Sequence, residues 1–148
     1  MDRLRLELDE IAPGGAGLFR RNGRVSLAGI GRIMESSQEI VHADVGRRAC
    51  LTANVYLRLP ACGGATRIWN YDGDYRQSTS SYKFARDEIP ESAPSCLLEP
   101  AVGDLVIWNP VLPHVVLAFD DPPRVSLQSW LLLASPADRS RFAIRLLN

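Results

Sequence analysis

Apolar and polar residues alternate along much of this chain, which is the pattern of strands with one buried and one exposed face. Leu4, Leu6 and Leu8 alternate with charged residues and predict a half-buried strand at the start of the chain. Residues 51–59 are rich in strand formers and end at Pro60. The other predicted strands cover residues 25–34, 66–69, 105–108, 114–119 and 124–133. The pattern therefore predicts a protein built mainly of short strands.

Turn-forming residues separate these strands. Asn22-Gly23 has the sequence of a tight hairpin turn, and residues 120–123 form another tight turn. Residues 70–96 are polar and show no clear period, so they predict a long excursion that is either functional or disordered. Near the end, Ser135-Pro136 has the order of an N-cap and a first-turn proline, so residues 139–147 are predicted to form a short helix.

Many short strands, Gly/Pro turns and little helix favour a β-sandwich or a barrel. A jelly-roll of two facing sheets fits the pattern best. The length of 148 residues corresponds to one domain, and it is sufficient to bury a substantial core. Such a barrel has a mouth where side chains from different strands converge on one ligand.

Charge and cysteine content narrow the class of partners. The formal net charge is zero, so no polyanion-binding surface is expected and nucleic acid is not an indicated partner. The first seven residues are too charged for a secretory leader, and no apolar run is long enough to span a membrane. Three cysteines without a C-x-x-C pair favour a reducing compartment over a disulfide framework or a zinc site. We therefore expect a cytoplasmic protein.

The two histidines of the chain stand where one metal ion can share them. His42 and Asp44 are two residues apart, so at a strand end their side chains point to the same side. His114 comes from a much later strand. Two imidazoles and one carboxylate, with coordination positions left open, form the facial triad of a non-haem Fe(II) oxygenase. Each residue alone is more commonly a loop or core residue, but their order, spacing and strand context together indicate a metal site.

A second group of polar residues follows His114 across one tight turn. Arg124 and Ser126 share one strand face with Gln128 and Trp130, and apolar residues occupy the opposite face. An arginine aimed at a barrel interior needs an anion there, because an unpaired buried charge is costly. A planar guanidinium suits a carboxylate, which it binds through two parallel hydrogen bonds.

With these residues, the chain resembles the Fe(II)/2-oxoglutarate-dependent dioxygenases, whose signature is H-x-D, a distal histidine and Arg-x-Ser. The segments N-V-Y-L-R-L-P, G-G-A-T-R-I-W and G-D-L-V-I-W-N-P-V-L-P-H-V-V are similar to core strands of the branch with prolyl-hydroxylase-like enzymes and small-molecule hydroxylases. The resemblance covers residues 31–133 and implies a cupin-like double-stranded β-helix. It also implies Fe(II) held by His42, Asp44 and His114, with 2-oxoglutarate chelating the metal and O₂ as the oxidant.

The resemblance implies further roles. Arg124 and Ser126 grip the distal carboxylate of 2-oxoglutarate, and Tyr56 resembles by position a family tyrosine that hydrogen-bonds to the same carboxylate. Asn54, on the same strand face as Tyr56, lines the cosubstrate or substrate pocket; ordinary barrel packing is the alternative for both. The implied enzyme hydroxylates an unactivated C–H bond of a small molecule, an amino acid or a peptidyl side chain, and releases succinate and CO₂. Related halogenases have a small residue in place of the carboxylate, so Asp44 predicts hydroxylation and not chlorination.

The start of the chain departs from the family pattern. Only 41 residues precede His42, and they lack the longer helical region that the family packs on its outer sheet. The chain is interpreted as a minimal or truncated core, or as one whose cover comes from another subunit of a homo-oligomer. A non-catalytic cupin-like binding module is therefore the main alternative. A 2-oxoglutarate-independent dioxygenase is a weaker one, because it does not need Arg124 and Ser126 as an anion clamp.

The excursion of residues 70–96 is interpreted as part of a substrate-binding lid. It is too long for a simple connection, and its side chains can bind a polar substrate. A disordered surface loop is the alternative. The polar residues that it offers are Tyr71, Asp72, Asp74, Tyr75, Arg76, Tyr82 and Arg86.

Overall fold

The computed structural model describes residues 2–25, 29–44, 50–78, 81–85, 87–121, 123–134 and 143–147. Within these residues the chain forms one α-helix, one 3-10 helix and fifteen strands. The elements are α1 (Asp2–Ile11), β1 (Ala16–Leu18), β2 (Arg20–Arg21), β3 (Arg24–Val25), β4 (Ile30–Met34), β5 (His42–Ala43), β6 (Cys50–Arg58), β7 (Cys62–Gly63), β8 (Thr66–Trp69), the 3-10 helix (Asp74–Gln77), β9 (Tyr82–Lys83), β10 (Ser95–Leu98), β11 (Leu105–Trp108), β12 (His114–Val116), β13 (Phe119–Asp120), β14 (Arg124–Ala134) and β15 (Ala143–Leu147).

Two sheets carry most of these strands. The larger sheet has the order β1-β15-β14-β6-β11, and β4 pairs with the first half of β14. The smaller sheet has the order β10-β8-β12-β5-β9. The Arg124 guanidinium on β14 donates to the Thr66 hydroxyl on β8 at 3.2 Å, so the two sheets face each other. This arrangement confirms the predicted jelly-roll, a mainly β fold with little helix.

The main apolar core lies on the outer face of the larger sheet. Along β14, Arg124 and Gln128 point between the sheets, so Leu131 points outward by the two-residue period of a strand. Leu131 packs there against Leu8 of α1. The cluster consists of Leu8, Ala12, Ala16, Ala53, Leu131, Ile144 and Leu146. The inner face of the same sheet is thereby left for polar side chains.

The helix α1 replaces the strand that the alternating leucines predict. Leu4 and Leu8 are four residues apart, so they lie on one face of a helix as readily as on one face of a strand. Leu8 is buried, Leu4 packs beside it, and Leu6 is 52% exposed on the other side. The strand prediction is wrong because three leucines do not distinguish the two periods, and packing of α1 on the sheet selects the helix.

The last predicted element also differs. Residues 135–142 lie outside the described residues, and Ala143–Leu147 forms the strand β15 where a helix is predicted. β15 pairs with the second half of β14 and in parallel with β1, and it buries Ile144 and Leu146. Pairing with the free edge of β14 therefore selects a strand for residues 143–147, although the local sequence predicts a helix. The predicted strand 114–119 is likewise divided into β12 and β13.

Several local predictions are confirmed. Asn22 and Gly23 both have positive φ, at 51° and 79°, as the turn of the hairpin β2–β3 requires. The strand predicted at 66–69 has those bounds, and the strand predicted at 51–59 is β6, Cys50–Arg58. Across the described part of the chain, no helix is long and apolar enough to cross a membrane.

Candidate active site

One cavity between the two sheets contains every residue that the sequence predicts for the site. The cavity has a volume of about 780 Å³, and side chains from both sheets line it. The larger sheet contributes through β4, β6, β11 and β14, and the smaller sheet contributes through β5, β8, β9 and β12. The predicted residues that line it are His42, Asp44, Asn54, Tyr56, His114, Arg124 and Ser126.

The two histidines lie side by side on neighbouring strands. His42 of β5 is the direct partner of His114 of β12, and their ring centroids are 4.2 Å apart. Nδ1 of each ring is hydrogen-bonded to the carbonyl oxygen two residues earlier, at 3.0 Å for Ile40 and 2.8 Å for Leu112. A carbonyl oxygen only accepts, so Nδ1 donates in both rings. In its neutral form, each ring therefore keeps the lone pair on Nε2, as a metal-binding histidine does.

The environment of His114 keeps its imidazole neutral. The ring is buried, and the ring of Trp108 meets it edge-on at a centroid distance of 4.4 Å. Burial, followed by the nearby charge of His42, lowers the pKa of His114 to about 4, although the Leu112 carbonyl and Asp44 act in the opposite direction. The neutral imidazole is the form that binds metal ions.

Asp44 completes the cavity wall beside the histidines. Its backbone N–H donates to the Pro110 carbonyl at 2.8 Å, and its side-chain Oδ1 accepts from the Ser81 hydroxyl at 2.9 Å. Within the described residues, no three His, Cys, Asp or Glu side chains converge closely enough to form a metal-binding group. The donor set fits Fe(II), with two imidazoles and one carboxylate on one cavity. Joint ligation by His42, Asp44 and His114 remains a prediction.

Arg124 is the buried cation of the cavity. The side chain is only 6% exposed. Its Nη2 donates to Thr66 and, at 3.4 Å, to the hydroxyl of Tyr56, and the guanidinium carbon lies 5.0 Å from the centre of the Tyr56 ring. Burial lowers the pKa of Arg124, and Tyr56 opposes this effect. The sheet interior thus holds a guanidinium between two hydroxyl groups and an aromatic face.

The hydrogen bonds of Arg124 leave part of the guanidinium unused. Its Nε is buried and has no hydrogen-bond partner. Among the described residues, no carboxylate lies within salt-bridge distance of Arg124. A buried N–H without an acceptor is costly, and a buried cation without an anion more so. The observation fits an anionic ligand at this position, which is the role that the sequence predicts.

Ser126, Tyr56 and Asn54 surround Arg124 on the larger sheet. Ser126 and Tyr56 are direct partners in the β14–β6 register, and both are buried. Asn54 is also buried, and its amide donates to the Thr52 hydroxyl at 3.4 Å. The predicted roles of these three residues toward a ligand stay predictions, because hydrogen bonding and packing within the sheet account for the positions of Tyr56 and Asn54.

The sequence-based prediction of the site omits two parts of the cavity wall. Thr66 is a partner of Arg124 that no motif marks. Residues 30–40 supply a continuous side of the cavity, including Arg32. Hydrogen bonds hold this segment: the Ser37 hydroxyl donates to the Val116 carbonyl, and Glu39 accepts from the Ala118 N–H at 3.3 Å. Ile30, Arg32 and Met34 are two residues apart, which predicts that they share one strand face. Only the pairing of β4 with β14 shows that this face lines the cavity.

The excursion 70–96 packs mainly away from the cavity. Among its described residues, only Ser81 and Lys83 line the cavity. Contrary to the lid prediction, three tyrosines form an aromatic cluster with Phe84 around Ala43, which lies between His42 and Asp44. Arg86 lies outside the described residues. The aromatic cluster, Tyr71, Tyr75, Tyr82 and Phe84, therefore supports the strand that carries the first predicted ligands.

Comparison with solved structures assigns the fold to a class. The N-substituted L-amino acid dioxygenase from Burkholderia ambifaria AMMD superposes with a TM-score of 0.61 at 13% identity, over 90% of this chain and 58% of that one. The same enzyme in complex with alpha-KG gives a TM-score of 0.59 at 14% identity, over 82% of this chain and 53% of that one. At these identities the likeness shows a shared fold, which is that of a cupin-like dioxygenase.

One curated relative is similar in sequence. The Leucinostatins biosynthesis cluster protein S of Purpureocillium lilacinum is 32% identical over an alignment that covers 84% of this chain. The chain spans 58% of the length of that relative. No protein-family model matches the chain.

Proposed function

We propose that this chain is an Fe(II)- and 2-oxoglutarate-dependent oxygenase that hydroxylates an unactivated C–H bond of a small molecule, an amino acid or a peptidyl side chain. The observation that carries the proposal is that the adjacent imidazoles of His42 and His114 line the same cavity as the buried Arg124. Support comes from the alpha-KG complex of a dioxygenase with the same fold. The similarity to a protein of a biosynthesis cluster supports a small-molecule or peptidyl substrate.

His42, Asp44 and His114 would hold Fe(II). The two backbone-bound imidazoles present Nε2, and Asp44 supplies a carboxylate that offsets part of the charge of the metal. Arg124 would bind the distal carboxylate of 2-oxoglutarate through its unused Nε, with Ser126 and Tyr56 beside it, and Asn54 would line the pocket. When bound, Fe(II) and 2-oxoglutarate supply the oxidation: O₂ is consumed, 2-oxoglutarate gives succinate and CO₂, and the substrate C–H bond gains an oxygen atom.

The test measures metal binding and turnover separately. Anaerobic titration should give one Fe(II) per chain for the wild type, and His114→Ala should bind it much more weakly because an imidazole is lost. Gln38→Ala, which alters an exposed residue lining the same cavity, is the matched control and should bind as the wild type does. If His114→Ala binds iron as tightly as the wild type, His114 is not a ligand. During aerobic incubation with 2-oxoglutarate, the wild-type protein should then form succinate, either without a substrate or with one.

One observation favours the second candidate function, a non-catalytic metal- or ligand-binding module. In the described part of the chain the Asp44 carboxylate is hydrogen-bonded to Ser81, and no three His, Cys, Asp or Glu side chains converge as a metal-binding group. A binding module would take up Fe(II) and 2-oxoglutarate but form no succinate. Succinate release therefore separates the two functions.

A further inference from the structure

A second arginine, Arg32, points into the mouth of the same cavity. It lies on β4 directly opposite Ser126 of β14, and it lines the cavity together with Arg124. The residue is exposed, so it lies nearer to solvent than the buried Arg124. The positive charge of Arg32 acts on the buried Arg124, because it contributes to the lowered pKa of Arg124. The cavity wall therefore carries a buried arginine, Arg124, and an exposed arginine, Arg32, in addition to Lys83.

A buried polar chain fixes the guanidinium of Arg32. Its Nη1 donates to Oε1 of Gln128 at 2.6 Å, and Gln128 is only 4% exposed. The amide nitrogen of Gln128 donates to the Thr52 hydroxyl at 3.0 Å, and Asn54 donates to the same hydroxyl. Because the amide nitrogen is held by a fully buried hydroxyl, the amide oxygen faces Arg32. An arginine side chain loses substantial rotamer entropy when it is held in one place, so a ligand that binds the fixed Arg32 loses less affinity to ordering of the side chain.

Arg32 has no counter-ion among the residues that the structure describes. In the described part of the chain, no carboxylate lies within salt-bridge distance of its guanidinium. The carboxylates on the cavity wall are those of Glu35, Glu39 and Asp44; Glu39 accepts from the Ala118 N–H, and Asp44 accepts from the Ser81 hydroxyl. The free donors of Arg32 are thus available at the cavity mouth, where a carboxylate is the partner that a planar guanidinium binds best.

We propose that Arg32 binds a carboxylate of the substrate, which makes the substrate a compound with a free acid group. Gln128 is the positioning residue that orients Arg32. The inference rests on the proposed function, because it assigns the deeper Arg124 to the cosubstrate and the outer Arg32 to the substrate. The two arginines, at different depths of the cavity, would then bind two separate anions.

The test uses paired probes that differ only in charge. A panel of N-acetyl-L-amino acids and the matching N-acetyl-L-amino-acid amides is titrated calorimetrically, without O₂, into protein saturated with Fe(II) and 2-oxoglutarate. At least one acid should bind, and its amide should bind at least about tenfold more weakly, the range expected for one charge-assisted pair. Arg32→Gln should reduce the affinity for the acid by a similar factor and leave the amide unchanged. Arg32→Lys should restore part of the preference.

Two control variants distinguish a ligand contact from a structural role. Lys83→Gln removes another cation from the same cavity and should leave the acid-to-amide ratio unchanged. Gln128→Leu should lower the ratio while it leaves the dissociation constant of 2-oxoglutarate within about threefold. If Arg32→Gln weakens 2-oxoglutarate as strongly as Arg124→Gln does, Arg32 belongs to the cosubstrate site and the proposal is overturned. Equal binding of acids and amides, or no binding of any acid, overturns it as well.

Measurement of turnover distinguishes the proposed oxygenase function from the proposed role of Arg32. Succinate that is stimulated equally by acids and amides would retain the oxygenase function and reject the role of Arg32. Acid binding that depends on Arg32, without any succinate, would retain the role of Arg32 and reject the oxygenase function in favour of a binding module.

Discussion

Arg124 sits where a protein rarely leaves a cation, inside the sheet sandwich and without a carboxylate within salt-bridge distance among the described residues. The hydroxyl groups of Tyr56 and Thr66 partly solvate it, and the Tyr56 ring offers a cation–π contact. These contacts stabilise the guanidinium without neutralising it. An anionic ligand would therefore stabilise the folded chain as well as occupy the site.

Arg124→Gln should weaken the binding of 2-oxoglutarate. A charge-assisted hydrogen bond contributes about 1.5–3 kcal/mol, so the dissociation constant should rise about tenfold to a hundredfold. Anaerobic titration of the visible Fe(II)–2-oxoglutarate charge-transfer band measures it. Arg67→Gln is the matched control, since Arg67 is exposed on the opposite face of β8. The assignment fails if the two variants bind 2-oxoglutarate equally well.

His114 should make the metal-free protein less stable in acid. In the unfolded chain its pKa is near 6.5, and in the folded chain burial lowers the pKa to about 4. Between these values the unfolded state binds the proton and the folded state does not, so the free energy of unfolding falls as the pH drops from 6.5 to 4 and this contribution levels off below 4. The loss is on the order of 3 kcal/mol at most.

Urea denaturation at pH 7 and at pH 4.5 checks this pH dependence. His114→Gln removes the titrating group, so its stability should change less between the two pH values than that of the wild type. Carboxylates that do not interact with residue 114 contribute equally to both proteins and cancel in the comparison. Identical changes in the two proteins would show that His114 is not a source of the acid sensitivity.

At the scale of elements, β5 has only two residues, His42 and Ala43, and depends on its neighbours. One neighbour is β12, which places His114 opposite His42, and the other is β9. Ala43 is fully buried in the aromatic cluster, and the next residue is Asp44. Residues 70–96 therefore support the candidate metal site indirectly, because they pack against β5, the strand that carries His42.

Phe84→Ala should weaken both the fold and metal binding. The Phe84 ring lies 4.9 Å from the rings of Tyr75 and Tyr82, and its removal leaves a cavity under Ala43. Truncation of a buried Phe costs about 3–5 kcal/mol, and Fe(II) affinity should fall because β5 loses its support. Thermal unfolding and Fe(II) titration measure the two effects. Leu97→Ala, at an exposed site on β10, should change neither, and the prediction fails if Phe84→Ala binds Fe(II) normally.

Local sequence patterns predict the main strands and most residues of the candidate site, because the two-residue period of a strand can be recognised in the sequence. Arg124 and Ser126 share a face by parity alone, and the H-x-D spacing of His42 and Asp44 predicts a common direction. The role of Arg32 could not be predicted, because it depends on the register between β4 and β14, which are distant in sequence. α1 and β15 were missed for the same reason: contacts with β14 and its neighbours, and not local preference, select their conformations.

At the scale of the whole molecule, the larger sheet separates stability from ligand binding. Its outer face packs against α1 through Leu8 and Leu131, and its inner face lines the cavity through Arg124 and Gln128. The two faces share a backbone but no side chains. A defect in the outer core should therefore lower the stability of the fold without changing the chemistry of the cavity.

Leu8→Ala tests this separation. Truncating a buried Leu costs about 2–5 kcal/mol, and the variant should unfold at lower urea concentration than the wild type. Its dissociation constant for 2-oxoglutarate, measured under conditions where it is fully folded, should stay within about twofold of the wild-type value. Leu6→Ala alters the exposed side of the same helix and is the matched control. A large loss of 2-oxoglutarate affinity in Leu8→Ala would show that the two faces are coupled.

The hydrogen bonds from His42 and His114 to carbonyl oxygens two residues earlier have a consequence for how the site tolerates sequence change. The groups that orient the imidazoles belong to the main chain, so the side chains of Ile40 and Leu112 are free to vary while the carbonyls stay in place. Pro113 restricts the backbone of Leu112 to extended conformations, and it is itself fully buried. In a saturation mutagenesis map, positions 40 and 112 should therefore accept most residues, and position 113 should accept few.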